Sequence, residues 1–172
     1  MNAVKTILIL VIVTMCIGCD QATKHLAKNE LAFSSPVTLF KGAVSIVYAE
    51  NSGGMLSLGE SLSDGMRFWL LTVFTGFALA GLVMFLFFSS RLDTMQTIAL
   101  SLVAGGGFGN LIDRMMNGGR VIDFITIRIA GMHSGVFNFA DIAITTGVFL
   151  MLIATRRQRE RAKDKRHPSV AA

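Results

Sequence analysis

The stretch Phe68–Ser90, FWLLTVFTGFALAGLVMFLFFSS, contains 23 consecutive residues without a charged side chain. A helix needs about 20 apolar residues to cross the hydrocarbon core of a bilayer, so this segment by itself predicts a transmembrane helix. The rest of the chain agrees, because 52% of its 172 residues are hydrophobic and only 16% are charged. A soluble domain carries about 25% charged residues. Together with a mean hydropathy of +0.60, the composition predicts an integral membrane protein.

Three further apolar segments lie on either side of this stretch. Thr94–Ile112 has no charge over 19 residues, and Val136–Ala154, also 19 residues long, has Asp141 as its one charge. Thr6–Cys19 is too short to span a bilayer unless its helix continues through Asp20. We therefore predict a mainly α integral membrane fold, a bundle of four transmembrane helices.

The first apolar segment also has a competing interpretation as a signal peptide. Lys5 precedes a short apolar run, and a small residue stands before Cys19, as at a lipoprotein cleavage site. Three additional spans favour a membrane anchor instead. Cys16 and Cys19 form a CxxC pair, but no second pair completes a zinc site. We expect no metal or other cofactor, and we interpret both cysteines as small apolar residues.

The distribution of basic residues predicts the orientation of the spans, because Lys and Arg concentrate on the cytoplasmic side. The net charge is +5, and the segment 156–166 holds seven of the sixteen Lys and Arg residues. We therefore place both termini in the cytoplasm. The resulting organisation is one membrane domain over 1–155, with outer segments 20–67 and 113–135, and a basic cytoplasmic tail over 156–172. We expect this tail to contact anionic membrane lipids and not nucleic acid.

The outer segments have the patterns of strands. Val37–Glu50 alternates β-branched and polar residues between Pro36 and the turn sequence NSGG, which predicts a hairpin. Arg120–Ile129 is a further strand candidate, with Asp123 on its apolar face. The sequence thus predicts a small extracytoplasmic β-sheet that rests on the four helices.

Polar residues gather at the predicted outer ends of the spans. They are Asp20, Gln21 and Lys24 in the first span, Asn110, Asp113 and Arg114 in the third, Asn138 and Asp141 in the fourth, and Asn51 and Asp123 in the outer segments. An ionised side chain within a span costs about 2.5 to 3.5 kcal/mol, so such residues usually face a bundle interior and serve function. The spacing of Asp20 and Lys24 suits an ion pair. We expect Arg114 to hold a carboxylate or a backbone carbonyl.

Asp123 and Asp141 differ from the other acidic residues, since neither has a basic neighbour close in sequence. Two carboxylates brought together do not both ionise readily and share one proton. The ionised member can then draw a proton from water while the protonated member polarises a carbonyl. Because a helix N-terminus favours negative charge, we expect Asp141, at the start of its span, to be the ionised member.

Five segments in order, with this spacing and a four-span layout, resemble the successive motifs of lipoprotein signal peptidase, also called signal peptidase II. They are DQATK (Asp20–Lys24), NSGGML (Asn51–Leu56), GNLIDR (Gly109–Arg114), VIDF (Val121–Phe124) and FNFAD (Phe137–Asp141). The resemblance covers nearly the whole chain. It implies an aspartic endopeptidase of the bacterial inner membrane that cuts prolipoproteins before a diacylglyceryl-modified cysteine, with its active site at the outer face.

The resemblance also implies roles for individual residues. Asp123 and Asp141 would be the catalytic dyad. The residues that would bind substrate or support the dyad are Asn51, Gly53, Asn110, Arg114 and Asn138. Asp20, Lys24 and Asp113 would be structural. Globomycin-like cyclic peptides would inhibit the enzyme by blocking the dyad.

The chain departs from the family pattern around Asn51. The family motif usually continues with Ala-Ala and an aromatic residue, whereas this chain has Gly54-Met55-Leu56, and Glu50 is an unexpected residue before Asn51. Two other classes of function remain open on sequence grounds. A proton-coupled transporter would spread its polar residues through the membrane depth, and a non-catalytic assembly factor would tolerate loss of either aspartate.

Overall fold

The computed structural model describes residues 3–54, 59, 61–129 and 132–166. Within these residues, four helices are long and apolar enough to cross a membrane. They are α1 (Ala3–Leu31), α2 (Asp64–Phe88), α3 (Thr94–Met116) and α4 (Phe139–Arg166). The four-helix membrane fold predicted from the sequence is confirmed.

The helices extend further than the apolar segments that predicted them. α1 passes through Asp20 and ends at Leu31, so it has the length that the first apolar run lacked. α2 begins at Asp64, where the Ser63 side chain caps the helix by accepting from the Met66 amide. The non-helical outer segment is therefore shorter than the predicted 20–67, and the predicted 113–135 segment begins inside α3.

The C-terminal basic residues continue α4 as far as Arg166. The predicted boundary between residues 155 and 156 is therefore not a helix end. Residues 167–172 of the predicted tail lie outside the described residues, as do Met55 and Leu56 of the NSGGML segment.

In the part of the chain that the structure describes, four short strands form the predicted sheet, in the spatial order β1-β2-β3-β4 with antiparallel neighbours. They are β1 (Val37–Leu39), β2 (Val44–Asn51), β3 (Val121–Ile129) and β4 (Met132–His133). β1 and β2 are the predicted hairpin. The register of β2 on β3 shifts between Ile46 and Ala49, and beyond this irregularity Ala49 pairs with Asp123. The sheet therefore places Asp123 at the end of β3 that follows α3.

α3 is the central helix, and two of its glycines let α1 approach closely. A Cβ atom at Gly105 would lie 2.6 Å from Cys16 Cβ, and one at Gly109 would lie 2.5 Å from Asp20 Oδ2. Both distances are shorter than real Cβ contacts. These two small residues, four positions apart, therefore form a packing contact of the small-xxx-small type.

The two glycines between these positions face the other neighbours of α3. A Cβ atom at Gly106 would collide with the backbone carbonyl oxygen of Ala140 in α4, and one at Gly107 would lie 2.5 Å from Leu79 Cδ2 in α2. Leu79 is a side chain that can move, whereas the Ala140 carbonyl is backbone. Position 106 is therefore the least tolerant of a side chain on the α4 side.

Replacing Gly106 with alanine is expected to lower the stability of the bundle by about 1 to 3 kcal/mol, the usual effect of overpacking a well-packed core. The added methyl group must push α4 away from α3. Thermal unfolding in detergent measures this change. The matched control is Gly81→Ala in α2, where nothing lies within 4 Å of the added Cβ. Equal midpoints for the Gly106 variant and the wild type would show that this contact does not hold α4 in place.

Candidate active site

Asp123 and Asp141 line the same cavity, although 18 positions separate them in the sequence. Asp123 lies on β3 and is 2% exposed, and Asp141 is in the first turn of α4. The cavity has a volume of about 440 Å³. Its lining is Asn51, Gly54, Asn110, Arg114, Val121, Asp123, Ser134, Gly135, Val136, Phe137, Asp141, Ile142, Thr145 and Thr146.

Asn138 connects the two aspartates through its side-chain amide. Its Nδ2 donates to Asp123 Oδ1 at 2.7 Å, and its Oδ1 accepts from the Asp141 backbone N–H at 2.9 Å. The Asn138 backbone N–H donates in turn to Asp141 Oδ2 at 3.2 Å. This reciprocal pair has the geometry of a capping box at the start of α4. Asn138 therefore caps the helix and hydrogen-bonds both aspartates.

Asn110 supplies a further hydrogen bond to the fourth span. Its Nδ2 donates to Asp141 Oδ1 at 3.0 Å, while its Oδ1 accepts from Asn138 Nδ2 at 3.0 Å. Asp141 thus accepts from an amide group on each of its carboxylate oxygens.

Asn51 holds the other carboxylate and also orders the loop that follows β2. Its Nδ2 donates to Asp123 Oδ2 at 3.0 Å, and its Oδ1 accepts from the Gly53 N–H at 2.9 Å. Arg114 Nη2 donates to the Gly53 carbonyl at 3.1 Å, so the prediction that Arg114 holds a backbone carbonyl agrees with the geometry. Among the described residues, the buried Nε of Arg114 has no hydrogen-bond partner.

Burial raises the pKa of Asp123 to about 6, and the nearby charge of Asp141 acts in the same direction. The hydrogen bonds from Asn51 and Asn138 lower this pKa and offset part of the effect. Asp123 therefore keeps its proton to a higher pH than an ordinary aspartate. A protonated carboxyl beside a carboxylate that accepts amide hydrogen bonds can donate to a carbonyl while its neighbour accepts a proton from water.

A buried ion cluster lies behind the cavity, between α1 and α3. Lys24 Nζ lies 2.7 Å from Asp20 Oδ2 and 2.9 Å from Asp113 Oδ2, so the predicted pairing of Asp20 with Lys24 is present. Gln21 Nε2 donates to Asp113 Oδ1 at 2.9 Å. None of these four residues lines the cavity.

Glu50, the unexpected residue before Asn51, pairs with its neighbours on the sheet. Its Oε2 accepts from Arg120 Nη1 at 2.9 Å, and its Oε1 accepts from the Tyr48 hydroxyl at 2.8 Å. The hydrogen bond from Arg120 lowers the pKa of Glu50, and partial burial raises that of Tyr48 to about 12. These groups form a polar rim beside the site and do not contact either aspartate directly.

The structure brings together the polar residues predicted for the site, but the part of the cavity lining that extends along α4 was not predicted. Ile142, Thr145 and Thr146 line it along α4. Their signal in the sequence is their spacing from Asp141, which places Thr145 one turn further along the same helix face. Within the described residues, no group of three or more His, Cys, Asp or Glu side chains is placed to hold a metal ion.

Comparison with known proteins identifies relatives over nearly the whole chain. Residues 12–157 match the family model described as "Signal peptidase (SPase) II". The "Lipoprotein signal peptidase" of Syntrophus aciditrophicus is 34% identical over 91% of this chain and 97% of its own length. That of Acinetobacter baylyi is 36% identical over 89% and 86% of the two chains.

Solved structures also match this fold. One, described as a bacterial membrane enzyme at 2.3 Å resolution, has a TM-score of 0.75 and 27% identity, and the match covers 95% of this chain and 93% of that one. A second bacterial membrane enzyme, at 1.9 Å, has a TM-score of 0.73 and 29% identity over 86% and 91% of the chains.

Proposed function

This chain belongs to the signal peptidase II family, and from that membership we propose that it removes signal peptides from prolipoproteins with Asp123 and Asp141 as an aspartic dyad. The family is one of peptidases, and the chain is a multi-pass bacterial membrane protein. The proposed cleavage point is the peptide bond before a diacylglyceryl-modified cysteine. The observation that supports the dyad best is the Asn138 side chain, which hydrogen-bonds the Asp123 carboxylate and the Asp141 backbone at once.

In the proposed reaction, Asp141 is the ionised member and Asp123 the protonated one. Asp141 accepts a proton from a water molecule, whose oxygen attacks the scissile carbonyl carbon while Asp123 gives its proton to the carbonyl oxygen. The tetrahedral intermediate then collapses. Asp141 returns its proton to the departing amine, the C–N bond breaks, and Asp123 recovers a proton from the hydroxyl group. The products are a signal peptide with a C-terminal carboxyl group and a lipoprotein whose lipid-modified N-terminal cysteine has a free amino group.

The form of the cavity supports a substrate that stays in the membrane. The polar end holds the two aspartates, whereas Ile142, Thr145 and Thr146 extend the lining along a helix that is long and apolar enough to span a bilayer. A signal peptide is an apolar helix, and its lipid-modified cysteine is also confined to the bilayer. Arg114 also lines this cavity, and its guanidinium group would orient a backbone carbonyl of such a substrate.

The proposed location is the bacterial inner membrane, with both termini in the cytoplasm and the dyad at the outer face. The basic residues that continue α4 support this orientation. Globomycin-like cyclic peptides are the proposed inhibitors, because a peptide that fills this cavity would occupy the position of the water molecule and the scissile bond.

Purified protein in detergent should cleave a synthetic prolipoprotein segment with a diacylglyceryl group on its cysteine. Mass spectrometry of the products identifies the bond that is broken. The matched substrate without the diacylglyceryl group should be cleaved poorly or not at all. Products from any other bond, or equal cleavage of the two substrates, would contradict the proposed specificity.

The pH dependence of kcat/KM should report the proton on Asp123. Because the neutral form of this carboxyl is required and its pKa is about 6, kcat/KM should fall as the pH rises through about 6. Replacing Asn51 with alanine removes a donor to the carboxylate, which raises the pKa of Asp123 further and moves this descending limb to higher pH. The measurement is kcat/KM against pH for both proteins.

Ser52→Ala is the control for this shift, because the Ser52 hydroxyl accepts from Arg67 and is in the same loop. Its descending limb should stay at the wild-type position. A limb that does not move in the Asn51 variant would mean that another group carries the required proton.

One rival function is disfavoured by the arrangement of the buried charged groups. A proton-coupled transporter needs ionisable residues along a path through the membrane. Among the residues that the structure describes, the buried charged ones are Asp20, Lys24, Asp113 and Asp123, and all of them lie in or next to one network near the dyad.

A further inference from the structure

Lys24 lies outside the cavity, yet it uses all three of its N–H donors, two within the buried ion cluster and one on a residue that lines the cavity. It is 2% exposed, and its Nζ contacts Asp20 Oδ2, Asp113 Oδ2 and, at 2.9 Å, Asn110 Oδ1. A buried ion pair contributes little net stability compared with apolar residues of the same volume. The stability of the fold is therefore a weak explanation for this arrangement.

The two carboxylates that hold Lys24 each contact the backbone immediately before one member of the proposed dyad. Asp113 Oδ2 accepts from the N–H of Ile122 at 3.0 Å, and Ile122 precedes Asp123. Asp20 Oδ1 accepts from the N–H of Ala140 at 2.9 Å, and Ala140 precedes Asp141. Lys24 joins Asp20 to Asp113, so a continuous chain of charged hydrogen bonds connects β3 to the start of α4.

The third contact of Lys24 determines which way the Asn110 amide faces. An ammonium group only donates, so it requires the oxygen of the amide and not its NH₂ group. With Oδ1 held by Lys24, the Nδ2 of Asn110 faces Asp141 and donates to it. A reversed amide would place its NH₂ group against two donors, Lys24 Nζ and Asn138 Nδ2, and its oxygen against a carboxylate.

We propose that Lys24 is a positioning residue for the reaction: it sets the separation of Asp123 and Asp141 through Asp113 and Asp20, and it orients the Asn110 amide that donates to Asp141. This inference rests on the proposed function. It goes beyond a structural role for Lys24, because it requires that the loss of Lys24 changes the chemistry in molecules that are still folded.

Lys24→Met removes the three donors and keeps the length of the side chain. The expected result is a loss of kcat of about 100-fold, the effect of displacing reacting groups by about 1 Å, with little change in KM. Cleavage of the diacylglyceryl-modified prolipoprotein segment is measured per folded molecule, with the folded fraction taken from size-exclusion chromatography. Lys28→Met, an exposed lysine one turn further along α1, is the control and should behave as wild type.

A double-mutant cycle separates positioning from a general loss of structure. If Lys24 acts in part through Asn110, the effects of Lys24→Met and Asn110→Ala on kcat overlap, and the double variant loses less than the product of the single losses. Multiplicative losses, or a wild-type kcat in folded Lys24→Met, would overturn the inference.

Where Lys24→Met does not fold, Asp20→Asn combined with Lys24→Met takes its place. It removes one of the two carboxylates left without a cation, and the amide oxygen at position 20 can still accept from Ala140. The same loss of kcat is expected from it, and a wild-type kcat would overturn the inference equally.

Wild-type protein and Lys28→Met are assayed in parallel. If neither cleaves the substrate, the proposed function fails and this inference fails with it. If both cleave and Lys24→Met does too at full rate, this inference alone fails.

Discussion

Replacing either Asp123 or Asp141 with asparagine is expected to lower kcat by at least about 10⁴-fold, the upper range for removal of a general acid or base. The asparagine side chain has the same shape, so the fold and the cavity should survive. An amide at position 141 cannot take the proton of water, and an amide at position 123 has no acidic proton to give to the carbonyl. The measurement is cleavage of the diacylglyceryl-modified prolipoprotein segment under single-turnover conditions.

The two variants should also fail in the same way, because the aspartates share one function. The double variant is expected to be no less active than either single variant, since residues that act as a unit give strongly non-additive effects. Glu30→Gln, an exposed carboxylate near the end of α1, is the control and should keep full activity. Substantial cleavage by either aspartate variant would contradict the dyad, and cleavage by both would mean that other groups of the protein carry the reaction.

Replacing Asn138 with alanine is expected to lower kcat by about 10² to 10³-fold, as does removal of one donor from a preorganised site. The variant leaves Asp123 Oδ1 without its closest donor and the Asp141 N–H without its acceptor. It should also lose about 1 kcal/mol of stability, because Asn138 caps α4. The measurements are kcat and thermal unfolding of the same preparations.

Asn138→Ser separates these two effects. Serine is a good N-cap residue, so this variant should recover most of the stability that alanine loses. Its short side chain accepts from the first turn of α4 but does not also reach Asp123, so kcat should remain low. Full recovery of kcat in the serine variant would show that Asn138 only caps the helix and does not place the two aspartates.

Several parts of this molecule follow from local sequence patterns. An uncharged run as long as Phe68–Ser90 has few alternatives to a membrane span. The alternation of β-branched and polar residues in Val37–Glu50 is also a local signal, and it predicts a hairpin. The capping box at the start of α4 was also visible in principle. The spacing of Asn138 and Asp141 is that of an N-cap residue and the third helical residue, although from the sequence we assigned them roles in the active site and did not identify them as a helix cap.

Contacts between distant residues were not predictable in this way. Lys24 and Asn110 are 86 positions apart, and their contact depends on how α1 and α3 are rotated about their axes. That rotation is set by close contacts at Gly105 and Gly109, which the sequence marks as small residues without saying what they meet. The pattern in Arg120–Ile129 likewise predicted a strand but not the hydrogen bond from Ile122 to Asp113.

The ends of the helices were underestimated for a different reason. Hydropathy detects the part of a helix that contacts lipid, whereas α1 continues to Leu31 and α4 to Arg166 through polar and charged residues. The charges at Asp20 and Lys24 interrupt the apolar run without interrupting the helix, because they compensate each other in the interior.

The glycines of α3 explain how the groups of this site can be held at fixed distances within a lipid bilayer. Lipid tails are as apolar as leucine, so the hydrophobic effect that compacts soluble cores is missing between spans. In this chain, the glycine backbone of α3 lies against short side chains of α1 and against a backbone carbonyl of α4. These contacts are within about two turns of Asn110 and Asp113. We therefore expect the spacing of the groups that α3 carries to stay the same when the bilayer changes in thickness or fluidity.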